Sequence, residues 1–494
     1  MRFKIYGLFK CTWLCAMIFV AVQTRGQNAN RSYYVSLGGN DDGPGTQASP
    51  FKTIRKINNL RLRAGDRVYF KGGEIFKGTL TVLPGAKGDK HAPLLITSYG
   101  NGNATIRADS LRGISLFKAQ YVMIKNLKLE GLGRKAGNRE NGLAILNSEH
   151  IQAENLDISG FQKSGVLIDS SSHIVINRVF VHDNGAAGIT VEGRKSKKDS
   201  RDIHISYCRA ENNPGDPTKL DNHSGNGIVV GHCTNVVINR CTATNNGWDM
   251  PRIGNGPVGI WCYEADSVLI QHCLSYKNKT SKGGADGGGF DFDGGTTNSI
   301  IQYCFSYDNQ GSGYCIFQYW GANPFYNNTI RYNISENDGT VSDSQAGLYV
   351  WNSSGDPKQF YNCSVYGNII YNAKVAAISF SEKSLNDGFD FHNNIFVGKD
   401  SLIKGRDVLG KCTFEENDWW SLKSGFNTWG IRHFSTWATQ MGKEQKNGRI
   451  VGFNIDPKFK SAGKSKLTNA GQIDKFTGYR LPQGSKLKKL LAGK

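Results

Sequence analysis

Gly165-Val-Leu-Ile, Gly188-Ile-Thr-Val, Gly227-Ile-Val-Val, Gly259-Ile-Trp-Cys, Gly289-Phe-Asp-Phe, Gly313-Tyr-Cys-Ile and Gly347-Leu-Tyr-Val repeat one phrase: glycine, apolar, any residue, apolar. A second short strand follows each, ending at a column made of Val179, Cys208, Cys241, Cys273, Cys304, Ile334 and Cys363. The steps along that column are 29, 33, 32, 31, 30 and 29 residues. A fixed period of this size means a stack of like units. Five residues beyond the column, asparagine recurs at Asn184, Asn213, Asn246, Asn278, Asn309 and Asn368. A buried turn asparagine can bond the backbone of neighbouring coils and satisfy groups that a tight internal turn would strand. Apolar residues alternate every second position, the period of strands and not of helices. The pattern predicts a parallel β-helix.

Composition narrows the partners. The 60 Lys and Arg outnumber the 41 Asp and Glu, a net charge of +19. Without the four basic residues of the first 26, the surplus is still +15. Such a surplus attracts anions. No nucleic-acid reader motif accompanies it, so an acidic polysaccharide is the more natural partner than nucleic acid. Residues 1–26, with Arg2, Lys4 and Lys10 before the apolar stretch 12–22, read as an export signal. A secreted or periplasmic protein without a transmembrane anchor is expected, and a monomer. Of the 11 cysteines, nine lie beyond the leader. Cys208, Cys241, Cys273, Cys304 and Cys363 share an inward column, so they are expected to be free thiols packed as small apolar residues.

The opening Tyr33-Tyr-Val-Ser-Leu-Gly-Gly-Asn-Asp-Asp-Gly-Pro-Gly-Thr-Gln-Ala-Ser-Pro50, followed by Phe51-Lys-Thr-Ile, resembles that of secreted bacterial proteins of the pectate-lyase-like superfamily. The resemblance implies an all-β, right-handed parallel β-helix with an N-terminal capping helix (about 51–60) and a C-terminal capping segment. On this reading 27–113 hold the cap and first coils, 114–396 the body with the site, and 397–494 the last coils and cap. The regular period fades after Val397, where Trp419, Trp420, Trp429 and Trp437 cluster over the far end. Asp456-Pro-Lys-Phe459 and Tyr479-Arg-Leu-Pro-Gln-Gly-Ser485 resemble the closing strand pair of the superfamily.

In the repeated phrase the two apolar side chains point inward and the intervening positions outward. The first outward position holds Leu167, Thr190, Val229, Trp261, Asp291, Cys315, Tyr349 and Ser379. The second holds Asp169, Glu192, Gly231, Tyr263, Asp293, Phe317, Trp351 and Ser381. This is a stripe with two aspartates at its centre and aromatic rings on either side. Asp291 and Asp293 share one strand and one face, roughly 6.6 Å apart. Trp261, Tyr263, Tyr349 and Trp351 suit the flat C–H faces of pyranose rings. Four insertions, 214–226, 247–258, 279–288 and 338–346, rise along one edge of the stripe and wall a groove. They add Asp286 as a third acid and His223, Trp248, Arg252 and Lys282 as candidate sugar-binding groups. Glu264, just past the stripe at a strand bend, is an alternative third acid, and Gln318 a further sugar ligand.

Two carboxyls that can hold opposite protonation states are what glycosidic hydrolysis requires. Their bland counterparts are turn formation before Gly294-Gly295, or a Ca²⁺ site built from Asp286, Asp291 and Asp293. The stretch Gly283-Gly-Ala-Asp-Gly-Gly-Gly-Phe-Asp-Phe-Asp-Gly-Gly295 with Cys304-Phe-Ser-Tyr-Asp-Asn-Gln-Gly-Ser-Gly-Tyr314 resembles the core of calcium-dependent family 9 polysaccharide lyases. The resemblance implies a catalytic lysine where this chain has Asp293, and an acidic pair where it has Gly311-Ser-Gly. Proton abstraction from carbon needs a base with cationic help for the enolate, and the stripe carries no Lys or Arg. Hydrolysis by paired aspartates, with no cofactor required, is therefore favoured, on a plant or algal polysaccharide fragment, neutral or acidic. The alternatives are a Ca²⁺-dependent uronate lyase and a non-catalytic glycan-binding protein.

Overall fold

The computed structural model describes residues 30–381, 385–405, 409 and 411–491; the expected export signal lies outside them. Twelve short strands, from Leu80–Val82 to Ile403–Lys404, stack in chain order into one parallel sheet. The remaining faces of each coil join a 25-stranded sheet whose pairings are likewise parallel. The chain is a parallel β-helix, as its period predicts. Among the described residues, no helix is long and apolar enough to cross a membrane.

The capping helix is shorter than expected, Ile54–Asn58. The Thr53 hydroxyl caps it by accepting from Lys56 N–H at 3.2 Å. It buries Ile54 and Ile57 over the first coil, and the Asn58 amide bonds Thr79 O and Thr81 N–H of that coil's strand. A plug is needed there because an open coil exposes unpaired strand edges.

Inside, two ladders run along the stack. In the first, each asparagine Oδ1 accepts both the backbone N–H and the side-chain amide of the rung before it. Asn213 serves Asn184, Asn246 serves Asn213, Asn278 serves Asn246, and Asn309 serves Asn278, with amide contacts of 2.9–3.2 Å. The opening glycines make room for it. A Cβ on Gly259 would lie 2.0 Å from Ser275 Oγ, and one on Gly289 2.2 Å from Ser306 Oγ, the hydroxyls that receive the ladder amides. The second ladder begins with thiols: Cys241 N–H points at Cys273 Sγ, and Cys273 N–H at Cys304 Sγ.

Beyond these rungs the column assignments change. The thiol ladder is continued by Asn333, Asn368, Asn394 and Asn417, because Cys304 N–H donates to Asn333 Oδ1 at 2.9 Å. Ile334 is therefore one residue out of the column. Cys363 pairs with Asn328 and Phe389 on another strand, and Asn368 belongs to this ladder and not the first. An amide oxygen does the accepting work of a sulfur, so residue type does not mark the column. All nine cysteines among the described residues are free and buried.

Each ladder ends on an acid. Asp338 takes the asparagine place after Asn309, accepting its N–H and amide at 2.9 Å and the Ser335 hydroxyl at 2.7 Å. Glu444 accepts Asn417 and the Trp419 indole N–H. Burial pushes both carboxyls up to about 7. A raised acid contributes stability that is present at low pH and lost as pH rises through the folded pKa. Asp338→Asn reproduces the rung at Asn309, whose amide donates to Ser306 Oγ. The variant is expected to unfold at a higher temperature than the parent at pH 8, by on the order of 2 kcal/mol, with the gain vanishing near pH 4. Thermal melts across that range check it.

The coils run past residue 397, through strands Cys412–Glu415 and Asp418–Ser421. There helix Phe434–Met441 covers the end, with Trp437 packed on Trp419 at 5.4 Å. The rungs shorten to 26 and 23 residues, which hides them from a search at the earlier period. The terminal segment is no strand pair. It forms two 3-10 turns, Ala470–Lys475 and Lys486–Leu491, laid back along the flank of the solenoid. Leu467, Tyr479, Leu487 and Leu490 pack on the outward Leu274, Phe305, Ile369 and Ile395.

Candidate active site

The outward stripe has the predicted register. Leu167, Thr190, Val229, Trp261, Asp291, Cys315, Tyr349 and Ser379 pair in that order along the sheet, and Phe290 and Phe292 point into the core. The stripe forms the floor of a cleft of about 670 Å³, within the range of small-molecule sites. All four predicted insertions line it: Asn222 and His223 from the first, Asn255 from the second, Asp286 from the third, and Ser342, Ser344 and Gln345 from the fourth. Trp261, Tyr263, Phe317, Tyr349 and Trp351 supply aromatic walls. Among the described residues, neither lysine nor arginine lines it.

The three aspartates differ in depth. Asp293 and Asp286 both line the cleft, and each is oriented by one backbone N–H. Gly294 N–H donates to Asp293 Oδ1 at 2.7 Å, and Gly256 N–H to Asp286 Oδ2 at 2.8 Å. One oxygen of each is thus anchored, leaving the other for a ligand. Asp291 faces outward but is only 2% exposed, between Trp261 and Cys315 of the adjacent coils. It is absent from the lining, so the expected pairing of Asp291 with Asp293 as the two open carboxyls is corrected to Asp286 with Asp293. Periodicity fixes which face a side chain takes, not how deeply neighbours cover it.

Their electrostatics follow from that setting. Burial, only partly offset by the Gly256 N–H, lifts Asp286 to about 6. Burial also lifts Asp293 to about 7, with the charges of Asp286 and Glu264 adding to it. Asp291 is driven well above the carboxylate range, by burial first and then by Asp293 and Asp286. Its Oδ1 has no hydrogen-bond partner among the described residues, which suits a protonated acid better than an anion. The three do not converge as a metal cage: among the described residues no group of three His, Cys, Asp or Glu side chains is placed to hold an ion. The three-carboxylate Ca²⁺ set expected as one alternative, Asp286, Asp291 and Asp293, is thus not assembled by these side chains.

Other predicted residues are committed elsewhere. Glu264 is 1% exposed, accepting Asn323 N–H at 3.0 Å and the Asn323 amide at 2.6 Å. It holds the loop 319–323 and does not line the cleft. Gln318 is fully buried between Gly295 N–H and Asn323 O, so it too braces that loop. Trp248 donates its indole N–H to Asn212 Oδ1, away from the cleft. Arg252 is tied to Asn255, whose side chain lines the cleft in its place. Lys282 is exposed and outside the lining.

The braced loop supplies what sequence reading missed. Tyr319 lines the cleft, and the adjacent Trp320 is 81% exposed. The signal was present as adjacent aromatics directly after the strand Tyr314–Gln318. Tyr263 is also shaped from a distance. Its ring lies across Gly231 of the preceding coil, where a Cβ would come within 2.3 Å of it. That lets its hydroxyl donate to Glu192 at 2.6 Å, whose other oxygen meets His232 Nδ1 at 2.5 Å.

Residues 33–345 match the model of the Pel9A-like, right-handed β-helix region. The chain belongs to this family. Among curated proteins, the Pel9A-like chain is 21% identical to a lacto-N-biosidase of Bifidobacterium longum subsp. longum, over 76% of its own length. It spans 29% of that relative. Among solved structures, a GH136 lacto-N-biosidase from Eubacterium ramulus superposes with a TM-score of 0.54 at 18% identity, covering 76% of this chain and 68% of that one. The A-module of a mannuronan C-5 epimerase from Azotobacter vinelandii gives 0.50 at 15% identity, covering 69% and 87%. These superpositions establish the shared right-handed β-helix.

Proposed function

We propose that this Pel9A-like chain is a glycoside hydrolase acting on oligosaccharides, with Asp286 and Asp293 as its working pair. The observation that carries the reading is that these two carboxyls, each pinned at one oxygen, face the same aromatic-walled cleft, both held above the ordinary carboxylate range by burial. The curated similarity to a lacto-N-biosidase supports the same class. Asp293, the more readily protonated, gives its proton to the leaving glycosidic oxygen. Asp286, the more readily ionised, serves the anomeric carbon as carboxylate, by attack or by activating water. Hydrolysis of this kind needs no metal ion.

The charge of the lining favours a neutral glycan. Two carboxyls, Asp286 and Asp293, and no lysine or arginine face the cleft, so a uronate would meet like charge without a partner. Elimination finds no cation there to hold an enolate. The overall basic surplus lies outside the cleft. The export signal read in residues 1–26 suits a secreted enzyme meeting such sugars outside the cell.

Incubation with neutral and uronate-containing oligosaccharides tests the reading. New reducing ends from a neutral member, without the ultraviolet absorbance of an unsaturated uronate and unchanged by EDTA, are expected. Absorbance that EDTA abolishes would replace hydrolysis by elimination, and binding without cleavage would leave a carbohydrate-binding role. Trp351→Ala, which strips one aromatic wall, is expected to raise KM about tenfold or more with a smaller change in kcat.

A further inference from the structure

His223 enters the cleft with one ring nitrogen already committed. Its neighbour Asn226 cannot turn its amide around: Oδ1 accepts Val258 N–H at 3.2 Å and the Trp261 indole N–H at 3.0 Å, two groups that can only donate. Nδ2 therefore points the other way, toward Ala186 O at 3.4 Å and His223 Nδ1 at 3.0 Å. Facing a donor, Nδ1 must be bare, and a neutral imidazole with a bare Nδ1 carries its hydrogen on Nε2. No described residue takes that hydrogen, and the ring lines the cleft.

We propose that His223 is a fixed Nε2–H donor that selects substrate by an acceptor oxygen, a sugar hydroxyl or carbonyl, and takes no part in proton transfer. A second proton would set the Nδ1–H against the Asn226 amide. The surroundings disfavour it as well: burial comes first, then the cations Arg252 and Lys219, and together they bring the imidazole down to about 4. Asp286 and Asp293 share the cleft, but the charges that act on the imidazole are those of Arg252 and Lys219. The Trp261 ring meets the imidazole edge-on at 4.9 Å, so one buried amide positions both an aromatic wall and the donor beside it.

The role of this donor rests on the glycosidase reading, but its protonation state can be measured without turnover. In the full chain labelled with 15N-histidine, His223 is expected to show a bare Nδ1 and a protonated Nε2, unchanged from pH 8 to 5. A protonated Nδ1, or titration near the ordinary histidine value, overturns the proposal. Asn226→Asp, which replaces the amide donor by an acceptor, is expected to bring His223 into titration within that range. With an oligosaccharide that the parent hydrolyses, His223→Ala should raise KM about tenfold, leave kcat within about threefold, and leave the pH limbs in place. His223→Gln, which keeps an N–H donor, should recover part of that loss. An unchanged KM, or a lost pH limb, overturns the donor role while leaving the hydrolase standing. A panel with no turnover removes the hydrolase, and the ligand-free spectrum still decides the state of His223.

Discussion

Asp293→Asn is expected to lower kcat/KM by about 10²–10⁴-fold, and Asp286→Asn by a comparable factor, with the fold intact in both. The amide keeps the bond from Gly294 N–H through its oxygen, so orientation survives while the proton is lost. In the parent, kcat/KM should rise as pH passes about 6, where Asp286 ionises, and fall as it passes about 7, where Asp293 loses its proton. The limbs belong to the coupled pair more than to either residue. Each substitution should reduce the profile to the single limb of the carboxyl that remains. The stability effect has the opposite sign. Both acids are raised in the folded state, so each costs stability as pH rises through its folded pKa, and the asparagine variants should melt higher than the parent at pH 8. A variant that is both inactive and more stable separates a catalytic role from a structural one. Full activity in Asp293→Asn, with hydrolysis shown for the parent, would remove that residue from the mechanism.

Asn278→Ala is expected to destabilise the protein by about 3–4 kcal/mol. The side chain accepts the Asn246 amide at 2.9 Å, and donates to Asn309 Oδ1 at 2.9 Å and Ser275 Oγ at 3.0 Å. Removing it strands polar groups of both adjacent coils where no water reaches. The effect should spread along the stack, because each rung fixes the amide orientation of the next. Amide hydrogen exchange in the coils carrying Asn246 and Asn309 is the direct measure. Unchanged protection there, together with an unchanged thermal midpoint, would show that the rungs are independent.

The sequence carries the orientation of the strand that bears the site, because glycine-apolar-any-apolar admits one assignment of inward and outward faces. Trp261, Asp291 and Tyr349 consequently fall on one stripe, and the four insertions land on its edge. Depth was not legible. Asp291 satisfies the pattern as well as Asp293 does, yet it lies buried between Trp261 and Cys315 of the adjacent coils. Asp286 lies off the repeat altogether, in a glycine-rich insertion with φ of 61°. Nothing periodic shows that Gly256 N–H turns its carboxyl toward the cleft. Glu264 and Gln318 were misread for a related reason: a polar group at a strand end looks the same whether it serves a ligand or a loop. The column beyond Cys304 failed because amide and sulfur are interchangeable acceptors there.

The returning terminal segment changes how such a stack comes apart. An array whose coils touch only their neighbours frays from its ends, each coil departing almost independently. Here Tyr307 OH bonds Leu467 O, Arg209 reaches Thr468 O, and Glu336 is met by Ser465 and Tyr479. The segment thus stitches coils that are far apart in the pile, much as a spine binds pages. Unzipping from the distal end must first peel this binding away, so those middle coils should be lost together in one concerted event.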